Sequence, residues 1–257
     1  MAFYVPAADH YLSTELTRGP WDEHSQHAGP PCALLGRALE RAGELEPARV
    51  ARVTFEILRP VPLAPLSCAA AVVRPGRSVE FVEGALAHEG TELIRARAWR
   101  IRTDNVAIEP PVAGEDPPAG PDAARPSEYF PVDWEAGYFA AMEVRFASGS
   151  YTEPGPARAW MRMRVPLVEG AAPTALERVL VAADSGNGVS SPLDYSRYVF
   201  INTDLSVALR RLPEGEWTCL DSVSHAEADG VGLTDTRLLD RRGMIGRATQ
   251  SLLVRRR

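Results

Sequence analysis

Apolar residues recur along "SQHAGPPCALLGRALERAG" (25–43) at Leu35, Ala38, Leu39 and Ala42, the i, i+3, i+4, i+7 spacing of a single helix face. Pro30 and Pro31 precede that stripe, where a first helical turn does not use the N–H that proline lacks, and Gly43 follows it as a stop. A second stripe, Leu176, Val179, Leu180 and Ala183, starts after Thr174 and Glu177, which have the spacing of a capping box, and Gly186 is placed to end it. These patterns predict helices over 30–43 and 174–185.

The period falls to two in "WMRMRVP", where Met161, Met163 and Val165 alternate with Arg162 and Arg164. "SVEFVEGALAHEG" and "GLTDTRLLDRRG" read as strands running into glycine-containing turns. One helix and then several antiparallel strands, twice along the chain, predict an α+β protein in which each helix lies across a curved sheet.

The two patterned regions are alike in order and length. "VTFEILRPVP" and "RSVEFVEGALAHEGTELIRARAWRIR" follow the first helix; "DLSVALRRLP" and "VGLTDTRLLDRRGMIGRATQSLLVRR" follow the second. Setting Leu58-Arg59 on Leu209-Arg210 brings Pro62 onto Pro213, and small gaps bring Gly90 onto Gly243. Between them "RTDNVAIEPPVAGEDPPAGPDAARPSEYFP" is dense in proline and acidic residues and carries neither period, as a linker does. The predicted organisation is an N-terminal repeat over 1–105, a Pro-rich linker over 106–134 and a C-terminal repeat over 135–257.

Charge and composition narrow the chemistry. A net charge of -6, with no basic stripe beyond the closing Arg255, Arg256 and Arg257, argues against a nucleic-acid partner and favours a small-molecule or acyl substrate. All 28 basic residues are arginine, which excludes Schiff-base chemistry and pyridoxal phosphate attachment through lysine. Cys32, Cys68 and Cys219 are odd in number and far apart, and His10, His24, His27, His88 and His225 form no ligand cluster, so neither a disulfide framework nor a metal is expected. No cofactor is expected either: the chain has no phosphate loop, no H-E-x-x-H helix and no G-x-S-x-G elbow. The start lacks a charged segment leading into an apolar run, and no run of about 18 apolar residues occurs, so a cytoplasmic protein without membrane insertion is expected.

"GPWDEHSQHAGPPCALLGRAL", "AADSGNGVS", "FINTDLSVALRRLPEGEW" and "DRRGMIGRATQSLLV" resemble, in order and spacing, the thioesterase-like relatives of acyl-CoA thioesterase II, over nearly the whole chain outside the linker. The resemblance implies a double hotdog, two tandem repeats each with a central helix wrapped by a curved antiparallel sheet. It implies hydrolysis of an acyl-CoA or acyl-carrier thioester in lipid metabolism, by direct attack of an activated water. By motif match Asp184 falls at the family's catalytic aspartate, Gln250 at its glutamine, and Asn202, two before Asp204, at a position usually held by threonine or serine. An amide can hold a water but does not reproduce the geometry of a hydroxyl. The approximate counterparts in the first half, Arg41, Ala51 and Ala98, do not carry this polar set.

At the helix start, His27 and Gly29 are the substrate-binding candidates: unpaired N–H groups and the dipole can receive a thioester carbonyl that gains charge, and glycine lets it approach. Ala28 departs from the second glycine of the family's opening motif. Plainer roles stay open: Gly29-Pro30-Pro31 as the start of a buried helix, His27 orienting its turn, Asp184 capping a helix, Asn202 at a strand edge, Gln250 facing solvent, the arginine tail solvated or meeting coenzyme A phosphates. Two other functions remain, a noncatalytic acyl-CoA or acyl-carrier binder, which Asn202 leaves open, and a hotdog hydratase, whose D-x-N-P-x-H stretch is absent. Further homo-oligomerisation is expected.

Overall fold

The computed structural model describes residues 1–108, 117–127, 132 and 134–257; the rest of the expected linker lies outside the described residues. A hairpin of β1 (Tyr4–Ala7) and β2 (His10–Ser13) leads to α1 (Gly29–Ala42). β3 (Ala48–Ile57), β4 (Pro65–Arg74), β5 (Val79–His88) and β6 (Thr91–Arg102) follow. Beyond the short β7 (Arg125–Pro126) come α2 (Tyr138–Ala141), β8 (Met142–Ser148), β9 (Ala157–Met163), α3 (Ala175–Ala183) and α4 (Gly186–Val189). The chain closes with β10 (Tyr198–Asn202), β11 (Asp204–Leu209), β12 (Thr218–Ala226), β13 (Val231–Asp240) and β14 (Gly243–Arg256).

Among the described residues all the strands join one 14-stranded sheet in the order β1-β2-β4-β5-β6-β3-β11-β14-β13-β12-β9-β8-β7, with β10 pairing β14 off that path. The order β2-β4-β5-β6-β3 is mirrored by β9-β12-β13-β14-β11, and the two runs meet at the antiparallel β3–β11 seam, from Asp204 opposite Glu56 to Ala208 opposite Arg52. Matching backbone hydrogen bonds fix the correspondence. Leu58 and Arg59 N–H both donate to Leu93 O, at 2.9 and 3.3 Å, as Arg210 and Arg211 N–H both donate to Ile245 O, at 2.9 and 3.4 Å. Leu58-Arg59 therefore matches Arg210-Arg211, one residue on from the sequence alignment. Val50 faces Arg100 as Asn202 faces Leu252, so Val50 rather than Ala51 is the counterpart of Asn202, whereas Ala98 keeps its place against Gln250.

The two long helices form because their apolar stripes have somewhere to go. Leu34, Leu35 and Leu39 of α1 and Leu176, Val179 and Leu180 of α3 are fully buried, each worth roughly 1.5–3 kcal/mol. α1 packs on β3, β4, β5 and β6, α3 on β9 and β12, and the helices also pack on each other. Glycine permits that contact, since a Cβ at Gly29 would overlap the Val181 carbonyl oxygen and one at Gly36 the Leu180 side chain. The buried Arg37–Glu177 ion pair joins the same two helices, and Glu177 also completes the capping box with Thr174.

Four readings are adjusted. α3 stops at Ala183 with Asp184 as its C-cap, and Gly186 opens α4 instead of ending α3. Glycine is required there by crowding, because a Cβ would meet Thr236 Oγ1 at 2.5 Å and Gln250 Oε1 at 2.9 Å. Gly43 does follow α1, but with φ −67° and ψ 139° it is extended backbone; what excludes a side chain is the Arg100 guanidinium, itself paired with buried Glu80. The Pro-rich segment is partly structured: Pro121–Ala123 form a 3-10 turn, β7 pairs β8, and Trp160 Nε1 donates to Ala119 O at 3.0 Å. The arginine tail is tied down: Arg255 and Arg256 pair with Val199 and Tyr198, and Arg257 Nε donates to Tyr195 O at 3.0 Å. Among the described residues no helix is long and apolar enough to cross a membrane.

Candidate active site

The α1–α3 contact builds the site. Because Gly29 presses the first turn of α1 against the last turn of α3, His27, just before α1, meets Asp184, the α3 C-cap. His27 Nδ1 lies 3.1 Å from Asp184 Oδ2. On the other carboxylate oxygen, Asn202 Nδ2 donates at 2.8 Å, and the same nitrogen donates to Asp204 O at 3.1 Å. Asn202 ends β10, so the strand that crosses β14 delivers its amide to the helix end. With both amide hydrogens committed, Asn202 Oδ1 is the atom left to accept from a water.

Gln250 is close by but faces the backbone. Its Nε2 donates to the Asp184 carbonyl at 3.0 Å, and its Oε1 accepts from Asn187 N–H at 3.2 Å. Asn187 in turn donates from Nδ2 to Phe200 O at 3.1 Å. The glutamine thus clamps the break between α3 and α4, which sets the direction of the Asp184 side chain. Gly29 N–H, expected to be open to a substrate oxygen, points at His27 Nδ1, 3.0 Å away, and also serves the Asp184 carboxylate. Asp204 accepts from Ser251 N–H at 2.9 Å, which ties it to β14.

Burial sets the protonation states. It pushes the Asp184 carboxyl up to about 6, against the hydrogen bonds from Asn202 and Gly29 that favour the charged form. It pushes His27 down to about 3, so the imidazole is neutral at ordinary pH and its contact with Asp184 is a hydrogen bond rather than an ion pair. The ring tautomer decides what Gly29 does: with its hydrogen on Nδ1 the imidazole donates to Oδ2 and leaves the Gly29 N–H to the carboxylate, and with its hydrogen on Nε2 it accepts from Gly29 at Nδ1. Cys32, in the first turn of α1, is no rival nucleophile, because burial and the Asp184 charge hold its thiol well above the ordinary value.

Three supports were not legible in the sequence. Tyr138 of α2 stacks on the His27 ring, with centroids 3.7 Å apart and planes 10° from parallel, while its hydroxyl donates to Val181 O at 2.8 Å and lies 2.9 Å from Ser185 Oγ. Gln26 accepts from Tyr4 OH at 2.6 Å and donates to Pro62 O at 2.7 Å, which pins the loop before α1. Asn187 is the third. Above the carboxylate opens a chamber of about 290 Å³ bordered by Trp21, Gln26, His27, Ile57, Asp184 and Asn202, among others.

A buried, partly proton-binding carboxylate at the floor of a chamber has the means to take a proton from water. Two family profiles cover most of the chain: the acyl-CoA thioesterase N-terminal domain matches residues 17–101 and the acyl-CoA thioesterase C-terminal domain matches residues 115–254. No curated protein sequence matches. Among solved structures, a candidate thioesterase II from Thermobifida fusca YX superposes with TM-score 0.76 at 19% identity, over 97% of this chain and 95% of its own. A protein of unknown function with a hot dog fold from Alicyclobacillus acidocaldarius gives 0.73 at 15% identity, over 96% and 92% of the two chains. An acyl-CoA thioesterase II from Mycobacterium marinum gives 0.65 at 16% identity, over 91% and 90%. These likenesses establish a hotdog fold.

Proposed function

This chain belongs to the acyl-CoA thioesterase family, and from that premise we propose that it hydrolyses an acyl-CoA or acyl-carrier thioester by direct attack of a water that Asp184 activates. The observation that carries the reading is the buried Asp184 carboxylate, held by Asn202 and His27 on the floor of the chamber. The water donates one hydrogen to Asp184 and the other to Asn202 Oδ1, and its oxygen attacks the thioester carbon as Asp184 takes the first proton. The tetrahedral intermediate then collapses with cleavage of the C–S bond, and the departing thiolate recovers the proton from Asp184. Neutral His27 and Gly29 N–H hold the carboxylate and bound the place of the carbonyl. Gln250 is a positioning residue that acts through the Asp184 and Asn187 backbone.

The architecture that goes with this reading is a double hotdog, two tandem repeats over 1–105 and 135–257 joined by the 106–134 linker, each with its own central helix. The mirrored strand order and the matched hydrogen bonds at Leu58-Arg59 and Arg210-Arg211 support it.

Thiol release from a panel of acyl-CoAs, followed against pH, tests the mechanism. Because the base is the ionised form of a group titrating at about 6, kcat/KM should rise roughly tenfold per pH unit below 6 and level off above it. A rate flat from pH 5 to 8 would remove Asp184 as the base, and binding without thiol release would leave a noncatalytic acyl-CoA binder.

A further inference from the structure

Trp21 borders three adjoining cavities, and no other described residue lines all of them. On one side is the chamber of about 290 Å³ over Asp184 and Asn202. On the other is an outer groove of about 540 Å³ bordered by Tyr195, Ser196 and Arg257. Between them runs a neck of about 30 Å³ lined by Trp21, His27, Phe139, Tyr195 and Phe200, with room for about one water and none for an alkyl chain.

The wall that makes the neck is braced. The Trp21 ring centroid lies 4.8 Å from that of Tyr195 and 5.3 Å, edge-on, from that of Phe200, and the Arg257 guanidinium sits 5.9 Å over it. Tyr195 OH donates to Pro20 O at 2.6 Å, which fixes the residue before Trp21. These contacts hold the indole where it divides the chamber from the groove. The chamber is also bordered by exposed Arg59 and Thr203, which do not line the neck or the groove, so a charged carrier arm can reach water beside them.

We propose that Trp21 determines which acyl groups the site accepts: the acyl chain runs from the carbonyl at Asp184 toward Trp21 and stops against its ring, so compact acyl groups fit and long unbranched ones are refused. The proposal rests on the thioester-binding reading above and deepens it by naming the substrate class. Removing the indole joins the chamber to the groove and opens a path for further methylenes. Each methylene that gains burial raises affinity roughly fourfold.

Binding of nonhydrolysable acyl-CoA thioethers, with two-, six- and twelve-carbon chains, measured by calorimetry on wild type and on Trp21→Ala, Trp21→Leu and Trp21→Phe, tests it. The twelve-carbon over two-carbon affinity ratio should rise at least about tenfold in the alanine and leucine variants and stay near wild type in the phenylalanine variant. Trp21→Leu keeps apolar packing on Phe200, so it reads the ratio even where Trp21→Ala does not fold. A purely structural tryptophan would lower melting temperature and weaken all lengths equally; an unchanged ratio in a folded variant overturns the proposal. Binding does not depend on turnover, so wild type that binds the thioethers yet releases no thiol from acyl-CoAs would sink the hydrolytic reading alone. Failure to bind any thioether would overturn both.

Discussion

Ala70, Val72, Val82, Gly84 and Ala98 in the first half of the sheet hold the ladder positions that Ser222, Ser224, Thr234, Thr236 and Gln250 hold in the second. The backbone hydrogen bonds are matched, and the inward chemistry is opposite. The hydroxyls of the second half bond one another, buried Ser222 with Thr236 at 2.9 Å, and half-buried Ser224 with both Thr234 at 2.7 Å and Ser190 at 2.8 Å. Buried polar groups add little net stability even when satisfied, so this half has given up apolar packing that the other half retains. What it gains is a polar bed under the α3–α4 break, on which Gln250 can fix Asp184. The difference teaches that two matched ladders can differ in which one carries polar side chains: the second half clamps its helix end with them, and His27 and Gly29 of the first half face that end.

The strongest way to break this comparison is at Asp184. Asp184→Asn should lower thiol release by about two to four orders of magnitude, the range for losing a general base, with acyl-CoA binding largely kept. The same variant should not weaken the fold. A carboxyl raised from 3.8 to about 6 contributes stability below pH 3.8 that is lost as pH rises through about 6, up to about 3 kcal/mol. The asparagine variant should therefore melt higher than wild type at pH 8, with the gain vanishing toward pH 4. Undiminished turnover in a folded variant would remove the assignment, and a lower melting point at pH 8 would show that the ionised carboxylate is stabilising.

Gln250→Ala converts the clamp into its first-half counterpart, Ala98. It leaves the Asp184 carbonyl and Asn187 N–H without their partner, which costs about 1–3 kcal/mol of stability. Turnover should fall by roughly tenfold to a hundredfold, less than for Asp184→Asn, and the pH at which activity levels off should move, since the carboxylate is no longer held in place. If turnover falls as far as for Asp184→Asn while stability is untouched, the glutamine contacts the reacting water directly.

How much of this was readable before the structure depends on how local each signal is. The capping box of Thr174 and Glu177 and the stripe Leu176, Val179, Leu180 involve neighbours along one helix, and they appear as expected. The motif-derived set, Asp184, Asn202 and Gln250, does converge, yet its wiring was not visible: nothing in the sequence says that Gln250 holds backbone instead of water. Gly186 shows why. A glycine that ends a helix and a glycine squeezed against Thr236 leave the same letter. The one-residue slip between halves comes from matching letters, Leu58-Arg59 on Leu209-Arg210; the irregularity at Val50/Arg52 in β3 has its counterpart between β10 and β11, around Thr203, and leaves the correspondence unchanged. Tyr138 and His27 meet only because α2 folds back onto the α1 start, and their stacking has no sequence period to announce it.

Asn202→Thr is the finest test, because it changes how the second half holds its carboxylate without removing the hold. Threonine suits a strand end and its hydroxyl can donate to Asp184 Oδ1 while accepting from the water. It has a single hydrogen, so the present bond from Nδ2 to Asp204 O is lost, at about 1 kcal/mol of stability. Turnover should stay within about threefold of wild type or rise, as about 1 kcal/mol or less in the barrier allows. The first-half counterpart is Val50, which offers neither donor nor acceptor, so Asn202→Val completes the comparison. It should cut turnover well below the threonine variant, since the hydroxyl is the difference between two side chains of nearly equal shape. Equal rates for threonine and valine would show that Asn202 only fills space beside Asp184, and the water would then be held by the carboxylate alone.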